Sequence, residues 1–374
     1  MSQREPEVPL LFDESAIGSA RRLPVLGEQK DIAYYGAAAR TIVNGPETTG
    51  MDFWSINPYV GCAFGCAYCY ARYAHRYTLE RAAAADPADE HLQRDLESMP
   101  AWLAFERRIF VKQNAPEVLR KVLRRAGARY DALRDQGVVI GTATDPYQPA
   151  ERRYRVTRGV LEVIAEHPGM SVSIITKSPL VTRDVDVLSR IAARAEVTVH
   201  VSLITLDRDL ARRIEPRAPT PESRLRAIAR LAEAGIDVGV NVMPVLPGIT
   251  DGADAMDALV RAVSRAGASH VAACALRLRG TARRRYLPFI EAEFPHLAER
   301  YRASYAASYN VGERYREGLK RYFAKLCAKY RIRNGFYDDG EDEEEAEDEE
   351  AGGAASPAGA EPVPPPTDQL ALEL

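Results

Sequence analysis

From residue 138 onward the chain switches repeatedly between two hydrophobic periods. VVIGTAT (138–144), SVSIITK (171–177), VTVHVSLI (197–204), IDVGVNVMP (236–244) and HVAACALRL (270–278) are short and β-branched, and they read as strands. Between them, TRGVLEVIAEH, RDVDVLSRIAARA, PESRLRAIARLAEAG and DAMDALVRAVSRAG space their apolar residues three and four apart, as amphipathic helices do. WSINPYV (54–60) adds a strand upstream, CYARYAHRYTLERAAAA (69–85) reads as a helix, and DPADEHLQRDLESMP as a polar insertion. FERRIFVK adds a short strand, and PEVLRKVLRRA reads as a helix with Pro116 in its first turn. Residues 1–30 show no clear period and read as an extended leader. Six strands alternating with helices imply a parallel sheet with right-handed crossovers. That is too few units for a closed eight-fold barrel, so the expected fold is α/β, a partial (βα)6 barrel of TIM type.

Two strands add a finer signal. Val197, Val199, Val201 and Leu203 share one face, with Thr198, His200 and Ser202 on the other; Val238, Val240 and Val242 oppose Gly239, Asn241 and Met243. A parallel sheet covered on both sides is apolar on both faces. A small or polar face fits a sheet lining a lumen, and functional residues then gather at the C-terminal ends of the strands.

The 374-residue chain is 46% hydrophobic and 28% charged, enough for one large domain or two ordinary ones. No run of about eighteen apolar residues occurs, which excludes a membrane-spanning helix. The first residues include acids and lack an apolar signal core, and the five cysteines are odd in number and mostly dispersed. The expectation is a cytoplasmic protein without a disulfide framework. The net charge of −3 hides an asymmetry: residues 338–374 carry fourteen acidic side chains and no basic ones. That tail reads as disordered, and it leaves residues 1–337 with an excess of eleven positive charges. Such an excess suits an anionic partner such as nucleic acid, or reflects an arginine-rich solvated surface.

Against this background one stretch stands apart. GCAFGCAYCYARY (61–73) places Cys62, Cys66 and Cys69 on a single loop after a strand. Three close thiolates suit three irons of a 4Fe–4S cluster and leave the fourth iron open to a small molecule. Structural zinc wants four ligands, for which His75 is the nearby candidate, and Cys66-x-x-Cys69 alone suits a redox pair.

The cysteine spacing, with Tyr68 just before the third thiol, resembles the radical S-adenosylmethionine superfamily. NPYVGCAFGCAYCYARY, GTATDPYQPAE, ITKSPLVTRDVDVLS, VSLITLD and IEPRAPTPESRLRAIARLAEAGIDVGVNVMPVLPG together are similar to its spore photoproduct lyase-like branch, over roughly residues 50–280. The resemblance implies a 4Fe–4S cluster held by Cys62, Cys66 and Cys69, and S-adenosylmethionine on the open iron. It implies reductive cleavage of that cofactor to a 5′-deoxyadenosyl radical, with electrons from a flavodoxin- or ferredoxin-like donor. Lys177 and Ser202 occupy the positions that contact the cofactor's carboxylate, with Tyr68 near the adenine and Tyr70 near the substrate. Thr144 and Asp145 fall where the amino group and ribose would lie, although Asp145-Pro146 also reads as a turn. Asn241 is a further ribose candidate, and His200 either lines the lumen or sits satisfied in the core.

The chain also departs from that branch. Its hydrogen-donating cysteine belongs at the end of the second strand, where this sequence has Thr142 or Ala143, and the loop lacks the histidine that relatives place before the second cysteine. Cys274 and Cys327 read as small buried apolar residues, Cys274 pointing away from Arg277 and Arg279. RLRGTARRR (277–285) would bring Arg277 and Arg279 to the open end of the barrel, as phosphate clamps or as part of a solvated loop. Residues 286–337 read as a tyrosine-rich helical segment that closes the barrel's side. The expected division is an extension (1–49), the barrel (50–285), the helical segment (286–337) and the acidic tail (338–374). A non-catalytic, metal-stabilised nucleic-acid-binding protein is the alternative to the enzyme.

Overall fold

The computed structural model describes residues 25–29, 31–49, 51–72 and 99–335. His75, most of the expected helix over 69–85, the polar insertion and the acidic tail lie outside the described residues. The strands are β1 (Val25–Gln29), β2 (Ile32–Ala37), β3 (Val43–Asn44), β4 (Ser55–Ile56), β5 (Tyr59–Val60) and β6 (Arg108–Lys112). They continue as β7 (Val138–Ile140), β8 (Val172–Thr176), β9 (Val197–Ser202), β10 (Asp237–Val245), β11 (His270–Ala275) and β12 (Arg333–Asn334). The helices used below are α1 (Ala101–Arg107), α2 (Val156–Ala165), α3 (Val185–Ala192), α4 (Arg208–Ile214), α5 (Pro221–Glu233), α6 (Ala253–Arg265), α7 (Gly280–Glu293), α8 (Ala298–Ser304) and α9 (Glu313–Tyr330).

The larger sheet runs β12-β11-β10-β9-β8-β7-β4-β3 and is parallel throughout except for the β3–β4 pair. Its β4, β7, β8, β9, β10 and β11 are the six strands expected of a partial barrel. The sheet stays open because β3 and β12 end it instead of pairing with each other.

Two features depart from the sequence-based expectation. WSINPYV is two strands: β4 joins the barrel, whereas β5 pairs antiparallel with β6 in a second sheet ordered β1-β2-β6-β5. The break falls at Asn57-Pro58, where proline offers no N–H to a ladder and the Asn57 side chain turns away to donate to Thr142 Oγ1 at 3.0 Å. The described end of the stretch read as a leader is likewise a strand: β1 pairs antiparallel with β2, and β2 in turn pairs with β6.

The two-faced strands sort as expected. Val197, Val199, Val201, Val238, Val240 and Val242 are buried in the main core with the apolar stripes of α2, α3, α5 and α6. On the opposite face the His200 and His270 rings meet edge to face 5.2 Å apart, across Gly239, where a Cβ would strike both imidazoles. The tyrosines of the C-terminal segment pack. Tyr301 stacks on Tyr305, and their hydroxyls donate to Pro247 O at 2.7 Å and Leu276 O at 2.9 Å, tying α8 to the chain just beyond β10 and β11.

Candidate active site

The cysteine loop leaves β5 through Gly61 (φ +83°) and turns again at Gly65 (φ +67°), both in the left-handed region that glycine adopts without strain. Its backbone is clamped from several sides. Cys62 N donates to Phe105 O at 2.9 Å and Ala63 N to Gln148 Oε1 at 2.9 Å; Thr144 Oγ1 and Gln148 Nε2 donate to Gly61 O at 2.5 and 3.1 Å. Thr144 thus spends its hydroxyl on the loop. The helix expected from Cys69 begins as a single 3-10 turn, Tyr70–Arg72. Arg72 is fully buried and donates to Cys66 O and to Glu106 Oε2, each at 2.8 Å.

Cys62 and Cys66 are buried, Cys69 is half-buried, and none of the three is in a disulfide. Burial, followed by the nearby Asp145 and Cys69, pushes the Cys62 thiol up to about 12. Burial also raises Cys66 well above the ordinary thiol, against a lowering pull from Lys177. Such thiols become thiolates only when a cation compensates the buried charge, which bound iron does. Among the described residues no three His, Cys, Asp or Glu side chains converge on one ion position. A cluster does not ask for that, because each thiolate bonds a different iron. The donor set therefore fits the cluster.

Asp145, at the end of the β7 loop, is occupied by the protein. Its Oδ1 accepts from Thr176 Oγ1 at 2.7 Å and Tyr147 N at 2.9 Å, and its Oδ2 from Lys177 N at 2.7 Å. It fixes the strand end that carries Lys177, which agrees with the Asp-Pro turn. Lys177 Nζ lies 5.6 Å from the Tyr68 ring centroid. Burial pulls its ammonium down, but Cys66, Glu215 and Asp145 outweigh it and hold Lys177 above the ordinary lysine value. Ser202 and Asn241 are buried register partners on β9 and β10, and Asn241 Oδ1 has no hydrogen-bond partner. A buried carbonyl without a donor leaves room for one supplied by a ligand.

The remaining candidates are placed differently from one another. Tyr70 is 57% exposed and donates its hydroxyl to Thr142 O. RLRGTARRR is not a loop, since α7 begins at Gly280. Arg277 bridges the backbone of Asn310, Arg279 stacks 3.9 Å from the Tyr309 ring centroid, and Arg285 packs on Trp102. Cys274 departs from its expected place. It is half-buried, and its parity with His270 puts it on the lumen face, with Val271, Ala273 and Ala275 on the other. Cys327 is buried in α9, as expected.

Sequence reasoning missed a buried charge pair below the loop. Tyr68 donates its hydroxyl to Glu215 Oε1, and Arg224 donates to Glu215 Oε2. Burial works to raise the Glu215 carboxyl, but Arg224 and Lys177 overcome it and keep it below the usual range. The two residues stood in the quoted IEPRAPTPESR block, but nothing local ties them to a cysteine loop about 150 residues earlier.

The fold and site together define an open parallel α/β barrel with a three-thiol loop beside the C-terminal ends of its strands. Residues 56–259 match the Radical SAM superfamily model. An uncharacterized protein of Mycobacterium tuberculosis is 35% identical over 288 residues, 77% of each chain, and one of Methanocaldococcus jannaschii is 26% identical over 213 residues, 57% of this chain and 68% of that one. Spore photoproduct lyase complexed with dinucleoside spore photoproduct superposes with a TM-score of 0.55 at 15% identity, covering 86% of this chain and 87% of that one. A variant of that enzyme with bound AdoMet and the same dinucleoside gives 0.54 at 16% identity over the same shares. The chain belongs to the radical SAM superfamily, and its fold is that of spore photoproduct lyase. The family implies S-adenosylmethionine and a 4Fe–4S cluster.

Proposed function

We propose that this protein is a radical S-adenosylmethionine enzyme in which Cys62, Cys66 and Cys69 hold a 4Fe–4S cluster. Lys177 and Ser202 receive the cofactor's carboxylate. When bound, the cluster and S-adenosylmethionine supply an electron and a 5′-deoxyadenosyl radical that abstracts hydrogen from a substrate. The observation that carries this reading is the convergence of a buried three-thiol loop with the Lys177 ammonium, which overlies Tyr68 of that loop.

Each residue has a defined task. Lys177, held by Asp145 through its backbone N–H, presents a fixed positive charge to a carboxylate. Ser202 offers a hydroxyl from the adjacent strand, and the orphaned Asn241 carbonyl accepts from a ribose hydroxyl. Tyr68 walls the adenine side. Exposed Tyr70, with Arg277 and Arg279, faces the substrate side. We assign the barrel, which excludes water from the radical, to residues 50–285, the side-closing helical segment to 286–337, an N-terminal extension to 1–49 and the acidic tail to 338–374. A flavodoxin- or ferredoxin-like donor supplies electrons, and a reducing cytoplasm suits the thiols. Among the described residues no helix is long and apolar enough to cross a membrane.

We place the substrate among nucleic acids, because residues 1–337 carry the excess of eleven positive charges and the fold is shared with an enzyme that binds a dinucleoside. The test is anaerobic cluster reconstitution followed by dithionite and S-adenosylmethionine. The wild type should turn brown and release 5′-deoxyadenosine, and Cys66→Ala should do neither. A colourless protein holding one tight zinc, or unchanged 5′-deoxyadenosine from Cys66→Ala, refutes the reading. Ultraviolet-damaged DNA in the same assay should show no thymine-dimer reversal, since Thr142 and Ala143 stand where that reaction needs a thiol.

A further inference from the structure

The segment Ile214–Arg217, starting at the last residue of α4, lies along the cysteine loop. Ala67 N donates to Ile214 O at 3.0 Å, Arg217 N to Phe64 O at 3.3 Å, and Arg217 Nε to Ala63 O at 2.5 Å. Glu215 sits in the middle of this seam at 2% exposure, with one carboxylate oxygen on the Tyr68 hydroxyl and the other on Arg224. Arg224, 1% exposed, spends its other donors on Ser202 O at 3.0 Å and Pro219 O at 2.9 Å. One unbroken chain of bonds thus runs from the end of β9, through Arg224 and Glu215, to Tyr68, just before Cys69.

Stability alone does not account for this pair. Burying two ions costs about what their attraction returns, and well-packed apolar residues of similar size often do as well or better. What an apolar pair lacks is direction. Arg224 and Glu215 lock the Ser202 carbonyl and the Tyr68 phenol to one another through oriented hydrogen bonds.

We propose that Glu215, braced by Arg224, is a positioning residue. It sets the spacing between the thiol loop and the strand end that carries Ser202, and so fits the site to S-adenosylmethionine. The proposal rests on the enzyme reading above. Glu215 touches neither the cluster nor the cofactor in this scheme; it acts through Tyr68 and Arg224.

The test uses anaerobically reconstituted full-length protein and four variants: Tyr68→Phe, Glu215→Gln, their combination, and an apolar pair, Glu215→Leu with Arg224→Met. Iron content and visible absorbance report cluster loading, calorimetry reports S-adenosylmethionine affinity, and low-temperature EPR of the reduced cluster reports its contact with the cofactor. Tyr68→Phe and Glu215→Gln should load iron as the wild type does but bind S-adenosylmethionine about ten-fold more weakly. Their combination should be no weaker than either alone, because both break one chain of bonds. The apolar pair should keep its melting temperature yet lose affinity and the cofactor-induced EPR change. Wild-type affinity in Tyr68→Phe, effects that multiply in the combination, or full affinity in the apolar pair would each overturn the proposal. Should Glu215→Gln fail to fold, Tyr68→Phe and the apolar pair decide it. A wild type that loads no cluster overturns the enzyme reading and this inference together. A wild type that loads and binds normally, with indifferent variants, overturns this inference alone.

Discussion

Lys112 is a buried lysine on β6 whose ammonium donates to Asn57 O at 2.9 Å. Asn57 in turn holds Thr142 Oγ1 through its amide and accepts from Ala143 N at 2.8 Å, so Lys112 props the loop that leads into the candidate site. Burial pushes its pKa down from 10.5 to about 8. Between those two values the unfolded chain carries the proton and the folded chain does not, so stability rises with pH across that window. Below about pH 8 the folded protein bears the full cost of a desolvated ammonium, and from about pH 7.5 to about pH 10 it recovers between about 2 and 3 kcal/mol. Lys112→Met removes this dependence. Cysteines and tyrosines titrate alike in both chains and cancel in the difference. Urea unfolding of cluster-free wild type and variant, in parallel with excess reductant, gives that difference at each pH. The variant's advantage should shrink by about 2–3 kcal/mol between the two ends, whatever its sign at neutral pH. A difference constant to within about 1 kcal/mol would show that Lys112 is not desolvated as the structure has it. In reconstituted protein the same variant should bind S-adenosylmethionine more weakly, because Asn57 loses its prop; greater stability with poorer function is the expected trade.

Two further outcomes follow from the loop and its supports. Gly61→Ala forces a Cβ to within 2.7 Å of Phe105 O at a φ of +83°, which should cost roughly 2–4 kcal/mol and lower iron loading. Wild-type melting and iron content in that variant would contradict the loop geometry. Asp145→Asn turns one acceptor oxygen into a donor facing Thr176, Tyr147 N or Lys177 N. It should lose about 1–3 kcal/mol and weaken cofactor binding as Lys177 loses its anchor, and calorimetry showing unchanged affinity would free Asp145 of that task.

The repeating framework and the donor set were legible in the order of residues alone. Period-two and period-3.6 patterns are local properties, so the barrel strands from 138 to 275 and their intervening helices were legible without coordinates. The three thiols were equally plain, because their spacing lies within one loop. Lys177 and Ser202 could be named because the blocks around them resemble the spore photoproduct lyase-like branch, on strands whose positions the pattern had already set. Where the expectation departed from the molecule, the cause was contact over long sequence distances. WSINPYV reads as one strand until Pro58 and the Asn57–Thr142 bond divide it between two sheets. Cys274 is the exception: its parity with His270 is local, and only its half-buried place on that face depends on the fold. Tyr68 and Glu215 are 147 residues apart, and no periodicity connects them. A buried ion finds its partners wherever the fold brings them, because removing charge from water leaves it no alternative. That demand, met only after the strands have assembled, is why the support of the site belongs to the tertiary structure and its thiols to the sequence.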